Sequence, residues 1–190
     1  LDEILREVDG SPASYIRASR LIGEGEFSEL TPMNVAVIST FTFDLVSPFL
    51  VVESARRGML VSPFFAPFNQ LEQQVLDQDS ALYQSDPNVI VIAVRLEELA
   101  PPLVDRFVSL AQEDVITEIA DVTERARCLV QGIRQHSQAS VLVFNFAPPS
   151  HLAAGLADTG LALAQTSAIQ RANDQLAQVC ESQSGAFVFD

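Results

Sequence analysis

The sequence predicts an α/β fold, a five-stranded parallel sheet of order 2-1-3-4-5 with helices on both faces, and three observations predict it. Five short runs, Val35–Ile38, Met59–Phe65, Asn88–Val94, Ser140–Phe146 and Ala186–Phe189, are apolar nearly throughout, as strands buried on both faces are. Segments of helical period separate them, and parallel neighbours need such crossovers. The first run ends in Ser39-Thr40-Phe41-Thr42 and is followed by Asp44, a residue able to cap a helix at its positive end. In open α/β sheets the loop after the first strand borders the crevice where strand order reverses, so Ser39–Thr42 are expected in any site.

Ahead of the sheet, Leu1, Ile4, Leu5 and Val8 have helical spacing and Asp9-Gly10 stops them. Ser11-Pro12 reads as an N-cap with a first-turn proline, opening a second helix to about Ile22. Residues 1–32 are thus expected as a short helical cap packed on the domain, and residues 33–190 as the α/β domain itself. Leu45–Arg57 is a helix closed by Gly58. Phe64, Phe65 and Phe68 suggest an aromatic cluster behind the second strand. Asn69–Leu76 is a short helix with Leu71 and Val75 on one face. Pro101-Pro102 opens a long helical region, in which Val115, Ile119, Val122, Ala126, Leu129 and Ile133 form a core-facing stripe. A last helix from about Thr166 turns Ile169, Leu176, Val179 and Cys180 inward, and Gly185 ends it.

A hydrophobic fraction of 48% against 19% charged residues places the chain among ordered globular domains and excludes a disordered one. Its net charge is −14, and all 11 basic residues are arginines. Without a basic patch, nucleic acid and anionic membrane are not expected as partners. The lack of lysine excludes Schiff-base chemistry and a Walker-type phosphate loop. No run has the length of a membrane span and no signal peptide is visible, so a cytoplasmic location is expected. Cys128 and Cys180 lie in helical patterns and suit buried free thiols, with a disulfide or a nucleophile as the other readings.

The strand ends would bring together Ser39, Thr40 and Thr42, Asn69 and Gln70, Arg95, and Asn145 with His151. Such hydroxyls, amides and one guanidinium suit a polar or anionic group; alternatively Ser39 and Thr42 only satisfy backbone at a helix start. Serine hydrolysis needs a base and an orienting acid. His136 points to the surface by its pattern, His151 sits in a loop after Pro148-Pro149, and no Asp stands two or three residues before either. Cys-x-x-Cys and His-x-x-x-His spacings are missing, and no metal or other cofactor is expected here.

Three ordered segments, Val35–Asp44, Phe68–Tyr83 and Asp86–Ala100, resemble the N-terminal domain of FkbH-like proteins, of haloacid dehalogenase subfamily IIIC. The family's first-strand S-N-F-T motif matches Ser39-Thr40-Phe41-Thr42, its aromatic–Gln–x–x–Gln helix matches Phe68–Gln74, and its Ser-x-Leu-Tyr turn matches Ser80-Ala81-Leu82-Tyr83. The resemblance implies an SGNH-hydrolase-like domain with a flavodoxin-like three-layer sandwich. It also implies a longer parent with an Asp-x-Asp, Mg-dependent catalytic domain that loads a glyceryl unit from a bisphosphoglycerate onto acyl carrier protein in polyketide pathways. The partners it implies are acyl carrier protein and that catalytic domain. A start at Leu1 and an end at Asp190 on a strand fit a piece of such a parent.

Active SGNH enzymes end their first strand in Gly-Asp-Ser-Leu, and in that register Phe41 stands where their nucleophile does. Their later glycine falls near Asn69, the region Val94–Glu97 replaces their Gly-x-Asn-Asp, and their Asp-x-x-His block has no counterpart. The expectation is a non-catalytic scaffold or a carrier- or ligand-binding module, with Ser39, Thr40, Phe41, Thr42, Asn69, Gln70, Arg95, Asn145 and His151 around a crevice. A divergent esterase or acyltransferase using Ser39 or Thr42 with His151, and a purely structural interaction domain, are the alternatives.

Overall fold

The computed structural model describes residues 1–160 and 163–190, with Thr159 described by its backbone alone. Two helices come first, α1 (Asp2–Arg6) and α2 (Pro12–Glu24). The Ser11 hydroxyl accepts from the Ser14 amide, and Pro12 fills the first turn, where no amide is needed. Strand β1 (Thr31–Ser39) leads through a 3₁₀ turn, Asp44–Val46, into α3 (Ser47–Ala55). Gly58, at φ 81°, then makes the left-handed turn into β2 (Met59–Phe65).

Short helices α4 (Leu71–Leu76) and α5 (Ala81–Gln84) precede β3 (Val89–Ala93). Helices α6 (Leu96–Leu99) and α7 (Pro101–Asp105), with a 3₁₀ turn at Phe107–Ser109, lead to α8 (Gln112–His136) and β4 (Ser140–Phe144). A 3₁₀ segment, Gly155–Gly160, then α9 (Gln165–Glu181) and β5 (Ala186–Phe189) complete the order.

Every strand pairing is parallel, and the sheet order is β2-β1-β3-β4-β5, as the sequence predicts. Strand alternation sorts side chains between two faces. Ala36, Ile38, Ile90, Ile92, Val141 and Val143 form one cluster with the buried stripes of α4, α8 and α9. The six predicted α8 stripe residues are all buried, and Ile133 is wholly so. Full burial of such a side chain stabilises by roughly 1.5–3 kcal/mol. On the opposite face Val35, Val37, Val61, Val91 and Ala93 pack with half-buried Leu50, Phe65, Leu142 and Phe144. Helices α2 and α3 share a smaller cluster on Ile22, Val51, Val52 and Leu60.

Four expectations change. Phe64, Phe65 and Phe68 do not cluster: Phe64 joins the α4–α8–α9 side, Phe65 joins the other, and Phe68 is 68% exposed. Adjacent strand residues point to opposite faces, so that separation follows from geometry. The region after Pro101-Pro102 is broken, since α7 and a 3₁₀ turn precede α8. Cys128 is exposed while Cys180 is buried, and both are free. Asp44 sits inside the 3₁₀ turn, and Phe43 occupies the capping position.

Candidate functional site

The loop after β1 is fixed by its own hydroxyls. Ser39 Oγ donates to the Phe41 carbonyl at 2.6 Å. Thr40 is buried, its amide donates to the Ala93 carbonyl, and its Oγ1 accepts from the Arg95 amide at 3.3 Å. Ser39 therefore holds backbone, one of the roles open to it by sequence, and Thr40, for which the sequence singles out no such role, does the same. Thr42 is exposed beside them. The loop is stapled to the end of β3 at the point where strand order reverses.

Phe41 lies between two grooves. One, of about 360 Å³, is lined by Ser39, Phe41, Thr42, Phe43, Asp44 and the β2 end with Phe65, Ala66 and Phe68. The other, of about 340 Å³, lies between Phe41, Val94–Glu97, Phe144, Asn145 and the loop 147–150. The Arg95 guanidinium carbon stands 4.3 Å from the Phe41 ring centroid, a cation–π contact of about 0.5–1 kcal/mol at an exposed site. The ring thus fixes a cation at the mouth of the second groove.

Of the other residues singled out by sequence, Asn145 lines that second groove, but its side-chain amide donates to the Asp190 carboxylate. Asn69 is exposed, with φ 57°, a left-handed conformation that asparagine tolerates. Gln70 precedes α4 without capping it by its side chain. His151 is exposed, and among the described residues no hydrogen bond joins it to Ser39 or Thr42. Asn69, Gln70 and His151 line neither groove. No group of three or more His, Cys, Asp or Glu that could hold a metal ion occurs among the described residues.

Sequence reading put Phe65 and Phe68 in a cluster behind the second strand and missed them, with Phe144, as walls of these grooves, although Phe65 and Phe144 stand at the ends of β2 and β4. It also missed the buried polar knot under the loop before α9. Asp158 is 1% exposed and accepts from the amides of Gln165 and Thr166 and from Thr166 Oγ1. Burial pushes the Asp158 carboxyl up, but these donors outweigh it and hold it below the ordinary aspartate value. Gln165, also buried, donates to the Leu103 and Val104 carbonyls and accepts from the Ala153 amide. The knot anchors the start of α9 and ties its loop to α7.

An all-parallel sheet of order β2-β1-β3-β4-β5 with helices packed on it, and a loop fixed by hydroxyls where the order reverses, define an open α/β domain. The chain matches the family model of the FkbH N-terminal domain over residues 34–190 and belongs to that family. Among curated proteins none matches. A solved structure, the N-terminal part of the protein BF1531 from Bacteroides fragilis containing a phosphatase domain complexed with Mg, aligns with TM-score 0.66 at 19% identity. The alignment covers 98% of this chain and 44% of that one, so this chain spans less than half of that protein.

Proposed function

We propose that this domain is a non-catalytic module of an FkbH-like protein, acting as a scaffold and as a binding surface for the carrier or its ligand. The parent reaction, on this reading, loads a bisphosphoglycerate-derived glyceryl unit onto acyl carrier protein in polyketide biosynthesis. A haloacid-dehalogenase-type domain of the parent supplies the chemistry. On this reading Mg serves that domain, since BF1531 was solved with its phosphatase domain complexed with Mg. No helix among the described residues is long and apolar enough to cross a membrane, which accords with action on a carrier in the cytoplasm.

The β1 loop carries the reading. Phe41 occupies the crevice, Ser39 and Thr40 spend their hydroxyls on backbone, and Arg95 is presented on the Phe41 ring. Arg95 and the polar groups beside it can hold an anionic group, while Ser39 and Thr40, tied to backbone and with no histidine hydrogen-bonded to them among the described residues, are not presented as activated nucleophiles. The test has two arms. Turnover of p-nitrophenyl esters is expected at background, unchanged in Ser39→Ala and Thr42→Ala. Binding of phosphopantetheinylated carrier protein, measured by calorimetry, is expected to weaken about tenfold in Arg95→Ala, as loss of one charge-assisted contact does. Ester turnover abolished by Ser39→Ala or Thr42→Ala would instead identify an esterase, and binding indifferent to Arg95→Ala would remove the crevice from recognition.

A further inference from the structure

The sheet is covered unequally. Right-handed crossovers put only the β1-to-β2 connection, α3, on the face of Val35 and Val37. The later connections supply α4, α8 and α9, all on the opposite face, where Ala186 and Val188 of β5 also pack. Helix α2 adds to α3 and not to the far side of the sheet. Among the described residues, the half of the face over β4 and β5 is therefore bare. Register sets Leu142 beside Phe187 and Phe144 beside Phe189. Phe187 and Phe189 are 54% and 52% exposed. Phe144 stacks on Phe189 with centroids 4.9 Å apart and meets Phe43 at 5.7 Å, and Phe43 meets Phe41 at 5.6 Å. A continuous aromatic row thus runs from the β1 loop to the edge strand. Contiguous apolar surface of this kind marks an interface.

We propose that this row is the seat of an amphipathic helix from the polypeptide that follows β5 in the longer protein. The proposal rests on the reading of this domain as part of an FkbH-like parent, and the solved relative has more than half of its length outside the matched part. The covered face cannot take such a helix, because α8 and α9 already fill it. Strands of four and five residues, at about 3.3 Å per residue, match a helix of about ten residues at 1.5 Å rise. The helix is expected to present apolar residues at i, i+3, i+4 and i+7 to Leu142, Phe144, Phe187 and Phe189.

The test compares the 190-residue chain with one extended along its native reading frame through the next helix. In a Cys128→Ser background, Phe187→Cys gives a thiol on the face, and its alkylation is expected to slow at least about tenfold in the extended chain, since the reagent needs access. Dye binding by 8-anilinonaphthalene-1-sulfonate should fall in parallel, and Phe189→Ser should destabilise the extended chain more than the short one. Equal alkylation rates in the two chains would overturn the proposal while leaving the parent reading intact. A stop codon directly after Asp190 would overturn both. Dimerisation of the short chain that Phe189→Asp abolishes would give the face to a second copy instead.

Discussion

Asp158 shows how much one side chain can hold in place. Its carboxylate serves the first amides of α9 from outside the helix, where Ala164 at the capping position offers no side-chain acceptor. Removing a helix cap costs about 1 kcal/mol, up to about 2 in well-fixed cases, and Asp158→Ala is expected at the upper end in urea unfolding at neutral pH. Its pKa is lowered in the fold, so its stabilisation is present above the unfolded value, about 3.9, and is lost as pH falls through the lower folded value. Stability measured between pH 5 and 2 should therefore fall less steeply in Asp158→Asn than in the parent chain.

The two thiols make a simpler test at the same scale. Burial pushes the Cys180 thiol up and shields it, whereas Cys128 is exposed. One equivalent of a disulfide reagent should react in the native protein at Cys128, and the second only with unfolding. Cys128→Ser is expected to leave a native chain without rapid labelling. Sequence periodicity turned Cys180 inward, as found, but the expectation of a buried thiol failed for Cys128, which lies between Arg127 and Leu129 on α8, just off the stripe.

Between elements, Gly132 sets how closely α4 approaches α8. A Cβ there would lie 2.6 Å from Val75 Cγ1, on a stiff β-branched side chain. Gly132→Ala gains about 1 kcal/mol of helix propensity but overpacks a contact, at a cost of about 1–3 kcal/mol. Net destabilisation is expected in thermal unfolding, with Gly132→Ala and Val75→Ala strongly non-additive because each makes room for the other. The strands were legible at this scale because burial on both faces writes an unbroken apolar run. The breaks at α6, α7 and the following 3₁₀ turn were not, since Leu103 and Phe107 are buried just as a longer helix would bury them. The crevice was legible as a place, from the end of β1, and not as a set of contacts. The commitment of Ser39 to the Phe41 carbonyl and the seating of Arg95 on its ring depend on loop conformation, which no periodicity records.

Across the whole molecule, the charge of −14 sets solution behaviour. Self-repulsion keeps such a chain apart from others at neutral pH and weakens near its isoelectric point of about 4.3. Solubility is expected to reach its minimum there, and retention on double-stranded DNA or on phosphatidylserine vesicles at low salt should be nil. Retention of the intact chain that salt elution reverses would show a basic surface that the sequence conceals.

The strand order also has a meaning in time. Strand β2 pairs with β1, β3 with β1, β4 with β3 and β5 with β4, so each strand emerging from the ribosome meets a partner synthesised before it. None has to be threaded between two already joined. The sheet can accrete outward from β1 during translation, in keeping with the vectorial folding of nascent chains, and its last increment is the edge that carries Phe187 and Phe189. A nascent chain stalled before β4 would hold β2, β1 and β3 as an ordered remnant, whereas a chain deprived of β1 would lose the seed on which the others are laid.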